Sequence, residues 1–455
     1  MMGWANRISL AFALLVCLSS CKLPSGKAHF SDSQEVEYRW DGRAEIHLKD
    51  FDRLILAEKL RKKDFPGWVT QTGIGEPALL YRKKRDDEPF VSDIGTAIPV
   101  TLVKKSGVLH ICDVLESDQF GGRQLAANFT APLAYIRKQG DLKLPVVKAM
   151  LKSGKFLDSS GLYRFEPVDT DRIPVFFVHG LKSSPSIWKI MVNELRRDKS
   201  IRENYQFWSF SYPTGIPVAY AAHLLRDELE LLQKTYNPDG RNLNWNHCVI
   251  AGHSMGGLVT RLQVTDSGTA FWDNSIALQR GIKLAPKTEA MLKESLIFDH
   301  LPFIDRAVFM ATPHGGSEVA VSGIGGMISK MIKLPGFFTE TVLDTLNLNP
   351  GVSAKQFNIP TSIDNLDPNS DFIQTLKTLS IDSTVTYHSI IASGGPQNVT
   401  KESMNDGLVT YDSASLPGAA SEVIVPSGHR APNDMKAVAE MARILKLNLK
   451  EKGRR

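Results

Sequence analysis

The sequence predicts an α/β fold: a mainly parallel sheet with helices on both faces, preceded by a smaller strand-rich domain. Three observations carry this expectation. From about residue 166 onward, short β-branched and aromatic runs alternate with longer segments whose apolar residues recur at helical spacing. Those runs are continuously apolar, as strands covered on both faces are. Before residue 166 the pattern is mixed, with strand-like alternation at Ile98, Val100 and Leu102 and an apolar run at 107–114.

The elements follow in order. Val175-Phe176-Phe177-Val178 reads as a buried strand, and Ser184-Pro185 opens a helix with Trp188, Met191, Val192 and Leu195 on one face. Tyr205 to Tyr212 is the next strand, followed by a helix marked by Ala221, Leu224, Leu225, Leu229 and Leu232. A strand then ends at Ser254. Strands at Arg306–Ala311, Val385–Ala392 and Val423–Val425 complete the sheet, and a last helix carries Val438, Met441, Ala442 and Leu445 on one face. Between Gly315 and about Asp371 lies a long insertion. Its residues Ile324, Met327, Ile328, Met331 and Ile332 fall on one side of an amphipathic helix stopped by Pro335. That stripe reads either as core or as a mobile apolar roof, for which methionine is well suited. In the first half, Leu144–Leu151 looks helical and residues 46–165 form a domain of unknown role, with no internal repeat.

Bulk properties exclude several classes. The 455 residues are 42% hydrophobic and 23% charged, as in globular proteins with a sizeable core. The net charge of +5 is small for this length and gives no sign of a nucleic-acid partner. At the N-terminus, Arg7 precedes the apolar run Ile8–Leu18, which has the length of a secretory h-region and is too short to span a bilayer. Residues 22–45 read as a polar tether. Of four cysteines, Cys17 lies in the signal and Cys112 and Cys248 read as separate buried thiols; no C-x-x-C or His/Cys metal spacing occurs.

The chemistry is concentrated in "GHSMG", residues 252–256, where a strand turns sharply into a helix around Ser254. A serine needs a base, the base needs a carboxylate, and the oxyanion needs backbone donors. His429 in "VPSGHRAP" follows the last strand, and Asp406 in "NDGLV" follows the one before it. Asp412 in "TYDSA" is the alternative acid, although Ser413 and Ser415 beside it suggest a helix cap. His179-Gly180-Leu181 ends the first strand of the block, where the Leu181 amide would join that of Met255. His253 reads as a positioning residue, His179 as a packing or hydrogen-bonding one, and His314 as structural or pocket-lining.

Together "VFFVHGL", "GHSMGGL", "ATPHGGS", "NDGLV" and "SGHRAP" resemble the α/β-hydrolase lipases and esterases, in particular those with a "TPH-x-G-S" segment. The likeness covers roughly 166–450. It implies an α/β-hydrolase domain over 166–455, a triad of Ser254, Asp406 and His429, an oxyanion hole at Leu181 and Met255, and a lid over 315–371 with Met327, Met331 and His314 as lid or pocket residues. It implies no cofactor and a lipid or small-molecule ester as substrate. Many relatives have Arg where this chain has Gly315. Separately, Leu18-Ser19-Ser20-Cys21 resembles the lipobox of bacterial lipoproteins, which implies lipidation of Cys21, anchoring to a membrane, and, from Lys22, the periplasmic side of the outer membrane; the alternative is an ordinary signal peptide. The expected activity is hydrolysis of carboxylic esters with apolar acyl chains. Two other readings stand beside it: an acyltransferase using a lipid alcohol, and an anchored binding protein whose hydrolase domain is degenerate.

Overall fold

A computed structural model describes residues 28–29, 35–43, 46–60, 67–85, 88–139, 150–153, 156–157, 160–322, 332–354, 356–395 and 400–453. The chain forms two compact units, one of residues 1–142, 164–169 and 192–204, the other of 143–163, 170–191 and 205–455. Among the described residues no helix is long and apolar enough to cross a membrane.

The first unit is built on a five-stranded sheet of β1 (Tyr38–Asp41), β2 (Arg53–Leu56), β3 (Glu76–Arg82), β4 (Thr96–Lys105) and β5 (Val108–Asp113), in the order β1-β5-β4-β3-β2. All neighbours are antiparallel except β1 and β5. Its residues alternate strictly between two cores. Leu54, Leu56, Ala78, Leu80, Ile98 and Val100 face one way. Ile55, Leu79, Tyr81 and Ala97 face the other, against Ala131, Ala134 and Tyr135 of α1 (Ala131–Gln139). A period of two and a covering helix on one side account for the mixed pattern of this half. The expected tether over 22–45 differs: Tyr38–Asp41 is an edge strand, because Tyr38 and Trp40 pack onto the first of these cores.

The second unit carries a seven-stranded sheet: β6 (Gly161–Arg164), β7 (Ile173–Val178), β8 (Tyr205–Ser211), β9 (Cys248–His253), β10 (Ile304–Met310), β11 (Thr386–Ala392) and β12 (Ser421–Val425). Its order is β6-β8-β7-β9-β10-β11-β12, and the six strands from β7 onward pair in parallel. Every residue of β7, β8 and β9 is buried, as continuous apolar runs require, whereas β12, at the edge, is buried only at Val425. The helices include α2 (Val218–Tyr236), α3 (Met255–Arg261), α4 (Pro286–Leu296), α5 (Gly336–Asn347), α6 (Ser362–Asn365), α7 (Asp371–Thr378) and α8 (Met435–Glu451).

The units do not divide at 165 and 166, the expected boundary. Residues 161–163 go with the larger unit because β6 pairs beside β8. Residues 192–204, between β7 and β8, go with the smaller one: Asn193 Oδ1 accepts a hydrogen bond from Thr130 Oγ1 at 2.6 Å, and Arg202 lies over the Phe129 ring. Cys112 and Cys248 are both buried and free. In an open parallel sheet, sites form beyond the carboxyl ends of the strands where the strand order reverses. Here the chain runs from β7 to β8 on one side and then crosses to β9 on the other, so the reversal lies between the ends of β7 and β9.

Candidate active site

Ser254 stands at that reversal, between β9 and α3, with φ of +55° and ψ of −132°. Such a conformation costs a non-glycine residue on the order of 1–3 kcal/mol and persists only where the surroundings over-determine it. The Ser254 amide donates to the Met310 carbonyl at 2.9 Å, and its carbonyl accepts from Gly257 at 2.8 Å. Two glycines make room for the turn. A Cβ on Gly256 would lie 2.4 Å from the carbonyl oxygens of Val178 and His179, and one on Gly180 would lie 2.7 Å from Ser254 Cβ. The loop after β7 is thus pressed against the serine, and its next turn holds Lys182 at φ +51°.

The structure brings together the three residues expected to act as a unit. Ser254 Oγ is 2.7 Å from His429 Nε2, and His429 Nδ1 is 2.8 Å from Asp406 Oδ2. Ser254 and Asp406 are buried and His429 is half-buried. The other Asp406 oxygen accepts from the amides of Leu408 and Val409 at 2.9 and 2.8 Å, which fixes the carboxylate in its turn. The His429 amide donates to the Asp406 carbonyl at 3.1 Å, tying the two loops together. With Nδ1–H donating to a carboxylate, Nε2 is left to accept from the serine hydroxyl.

Asp412 is elsewhere. It is exposed in the short helix Tyr411–Ala414, whose N-cap is Thr410, the side chain of which accepts from the Ser413 amide. A helix start is therefore present here, but neither Ser413 nor Ser415 caps it. Ser413 is buried and donates to the Gly316 carbonyl at 2.6 Å.

Met255 follows the serine in sequence and opens α3, and the loop after β7 brings Gly180, the residue before Leu181, against Ser254. Among the described residues neither the Leu181 nor the Met255 amide has a hydrogen-bond partner, as first-turn and loop amides awaiting an acceptor do not. Leu181 is also packed into an apolar cluster of Met150, Ile332 and Ile363, with Val321 and Leu334 beside it. Residues of the 315–371 insertion thus form an apolar wall next to the loop after β7. Met327 and Met331 lie outside the described residues, as do the other stripe residues except Ile332.

The remaining histidines separate by environment. His253 donates from Nε2 to the His429 carbonyl at 2.6 Å, with Trp188 edge-on to its ring. Burial, then the neighbouring His429, depresses its pKa to about 3. His179 stacks on Tyr212, whose hydroxyl donates to the His179 carbonyl at 2.8 Å; burial lowers its pKa to about 4. His314 packs against Phe309, with Arg261 at 3.5 Å, and burial holds its pKa well below the usual value. Both His253 and His179 are thus neutral residues in packing and hydrogen-bonding roles, as the sequence suggested, while the carbonyl that His253 holds, 176 residues away, was not legible in it.

A group able to hold a metal lies away from the triad. Asp266, His300 and Asp382 offer ligand atoms within 4.8 Å of one another. No sequence spacing announced them, because three separate loops supply them.

Strand order, reversal point and strained serine turn define the α/β-hydrolase fold. Residues 169–299 match the family described as a PGAP1-like alpha/beta domain. Solved structures with a similar course include the mature lipase BlEst2 of Bacillus licheniformis, at 15% identity over 63% of this chain and 97% of that one, with a TM-score of 0.37. EstA from Clostridium botulinum is 13% identical over 67% of this chain and 98% of that one, with a TM-score of 0.36. Phospholipase PlaB from Legionella pneumophila is 14% identical over 62% of this chain and 64% of that one, also at 0.36. No curated protein sequence matches the chain.

Proposed function

We propose that this chain is a serine hydrolase of carboxylic esters with apolar acyl chains. The observation that carries the reading is the continuous contact from Ser254 Oγ through His429 to Asp406, at 2.7 and 2.8 Å, on a strained turn at the sheet's reversal point. In the reading, Ser254 Oγ attacks the ester carbonyl and its proton passes to His429 Nε2. The oxyanion takes hydrogen bonds from the Leu181 and Met255 amides. His429 returns the proton to the leaving alkoxide as the carbon–oxygen bond breaks, giving an acyl-serine. A water then loses a proton to His429 and attacks the acyl carbon. Ser254 leaves with that proton, and the carboxylic acid departs. Asp406 keeps the imidazole tautomer and stabilises its cationic form throughout.

The preference for apolar acyl chains rests on the cluster of Met150, Ile332 and Ile363 beside Leu181. In this reading the 315–371 insertion is the roof of the acyl site. Export and a lipid anchor at Cys21 are part of the proposal and rest on residues 7–22 alone. A single chain holds a membrane only marginally, and a lipoprotein cysteine carries several.

The test is a fluorophosphonate probe and a panel of C2 to C16 acyl esters, applied to the wild type and Ser254→Ala. We expect labelling of the wild type alone, and a loss of kcat of at least about 10³-fold in the variant. Labelling that survives in Ser254→Ala moves the nucleophile to another residue. For the anchor, Cys21→Ser should leave the membrane fraction or stall in export; a cleaved variant that still pellets with membranes overturns it.

A further inference from the structure

The segment "ATPHGGS", residues 311–317, follows β10 and supplies no group to the proposed reaction. Its last residue, Ser317, is buried and begins a chain of hydrogen bonds that ends at the triad. The Ser317 hydroxyl donates to the Leu408 carbonyl at 2.6 Å. That carbonyl belongs to the same peptide group as the Val409 amide, which donates to Asp406 Oδ1 at 2.8 Å. The C=O and N–H of a trans peptide are held in one plane and point in opposite directions. One rigid group thus carries Ser317 on its oxygen and the Asp406 carboxylate on its N–H. The other oxygen of that carboxylate is 2.8 Å from His429 Nδ1.

Rotation of this peptide would turn the Val409 N–H away from Asp406, and packing does little to prevent it. Gly407 stands at φ +98° with open space where a Cβ would be, and Leu408 is 39% exposed. The Ser317 hydroxyl supplies the restraint. A hydrogen bond at the carbonyl also polarises the peptide, which strengthens what its N–H donates.

Ser317 is itself fixed by the insertion. Its amide donates to the Leu366 carbonyl at 2.8 Å, and its oxygen accepts from the Ala320 amide at 3.1 Å as N-cap of the short helix Glu318–Val321. Gly316, at φ +88°, permits the close approach: an added Cβ would lie 2.7 Å from Pro368 Cα. Val321, at the end of that helix, packs beside Leu181. A neighbouring contact joins the same two loops differently. Ser413 Oγ donates to the Gly316 carbonyl at 2.6 Å without touching the peptide that holds Asp406.

We propose that Ser317 is a positioning residue for Asp406, acting through the Leu408–Val409 peptide, and that it ties the insertion to the triad. The role rests on the triad of the proposed hydrolase, yet it can be read without substrate.

The experiment follows the His429 Nδ1 proton in one-dimensional proton spectra of the full chain. Its hydrogen bond to Asp406 places it far downfield, and its loss in His429→Gln identifies it. Ser317→Ala should move this signal upfield or broaden it. The same variant should lower kcat on acyl esters about 3- to 10-fold, the range of one hydrogen bond, with KM within about two-fold of the wild type. Ser317→Thr, which keeps the hydroxyl, should restore both. Ser413→Ala should lower the melting temperature and leave the signal in place. If Ser317→Ala melts early, Ser317→Cys, of similar size and a weaker donor, replaces it. The proposal is overturned if the signal of the folded Ser317 variant stays at its wild-type position, if Ser413→Ala moves it as far, or if the wild type shows no such signal. A wild type that shows the signal but hydrolyses no ester sinks the hydrolase reading, and the signal still decides the role of Ser317.

Discussion

At Ser254 the chain holds a non-glycine residue at φ +55°, and Gly180 and Gly256 leave no room for a single added carbon. By contrast, none of the residues lining the apolar cavity of about 470 Å³ between the start of α2, the 270–296 segment, α5 and the 357–375 segment has a positive φ; its walls come from helices and loops packed through Trp272, Leu292, Val342 and Leu346 onto Ala277, Ile282, Leu284 and Phe357. One region is fixed by its backbone, the other by its side chains. The contrast follows from what each has to do. Chemistry fails when reacting atoms move by about an ångström, so their position is over-determined. An apolar wall tolerates substitutions that keep its volume.

If the contrast holds, the largest effects come from changes that leave the packing untouched. Asp406→Asn keeps the shape of the site, yet kcat should fall by up to about 10⁴-fold because the amide favours the wrong imidazole tautomer. Asp412→Asn should stay within about two-fold of the wild type. The reverse result, with both variants folded, makes Asp412 the acid and breaks the assignment.

Next is Gly180→Ala, one methyl group 2.7 Å from Ser254 Cβ. We expect about a 10²-fold loss of kcat with far-ultraviolet circular dichroism unchanged. A variant of full activity would mean that the loop after β7 yields, and that the backbone of this site is less constrained than its geometry implies.

A third test separates the site from the rest by pH. His179, His253 and His388 are buried neutral, with pKa values lowered to about 4, about 3 and about 4, and His314 lies well below its usual value. Burial is the leading cause in each. These groups bind protons in the unfolded chain below about pH 6.5 but not in the folded one until near pH 4. The unfolded state therefore takes up more protons, and stability falls as pH drops from about 6.5 towards 4. Chemical denaturation at pH 7 and pH 5 should show this decline. His388→Gln, whose ring meets Arg306 and Ser421 and no triad residue, should make the decline shallower without changing kcat at pH 7. A stability that rises on acidification in this window would contradict the burial of these rings.

The smallest effect is expected on the apolar wall. Ile363→Ala should leave acetate esters within a few-fold and lose more on each longer acyl chain, up to about 0.8 kcal/mol for each methylene contact removed. Equal losses on C2 and C12 esters would make that cluster a structural core and not an acyl wall.

Ser254, Asp406 and His429 were legible in the sequence because each requires a local pattern: a glycine-flanked turn after an apolar run, a D-G turn after the next-to-last strand, a loop histidine after the last. Parallel strands covered on both faces leave continuous apolar runs, so β7, β8 and β9 could be read directly. In the smaller unit the alternation that separates its two cores is diluted by short strands, and its edge strand at Tyr38–Asp41 passed for tether. Other features depend on contacts distant in sequence. His253 binds a carbonyl 176 residues away, the Asp266, His300 and Asp382 group is gathered from three loops, and the cavity joins segments from Pro217 to Thr375. Local backbone preference and periodic burial are written into neighbouring residues, whereas which side chains meet across 100 residues or more is decided only when the sheet has set the strand order.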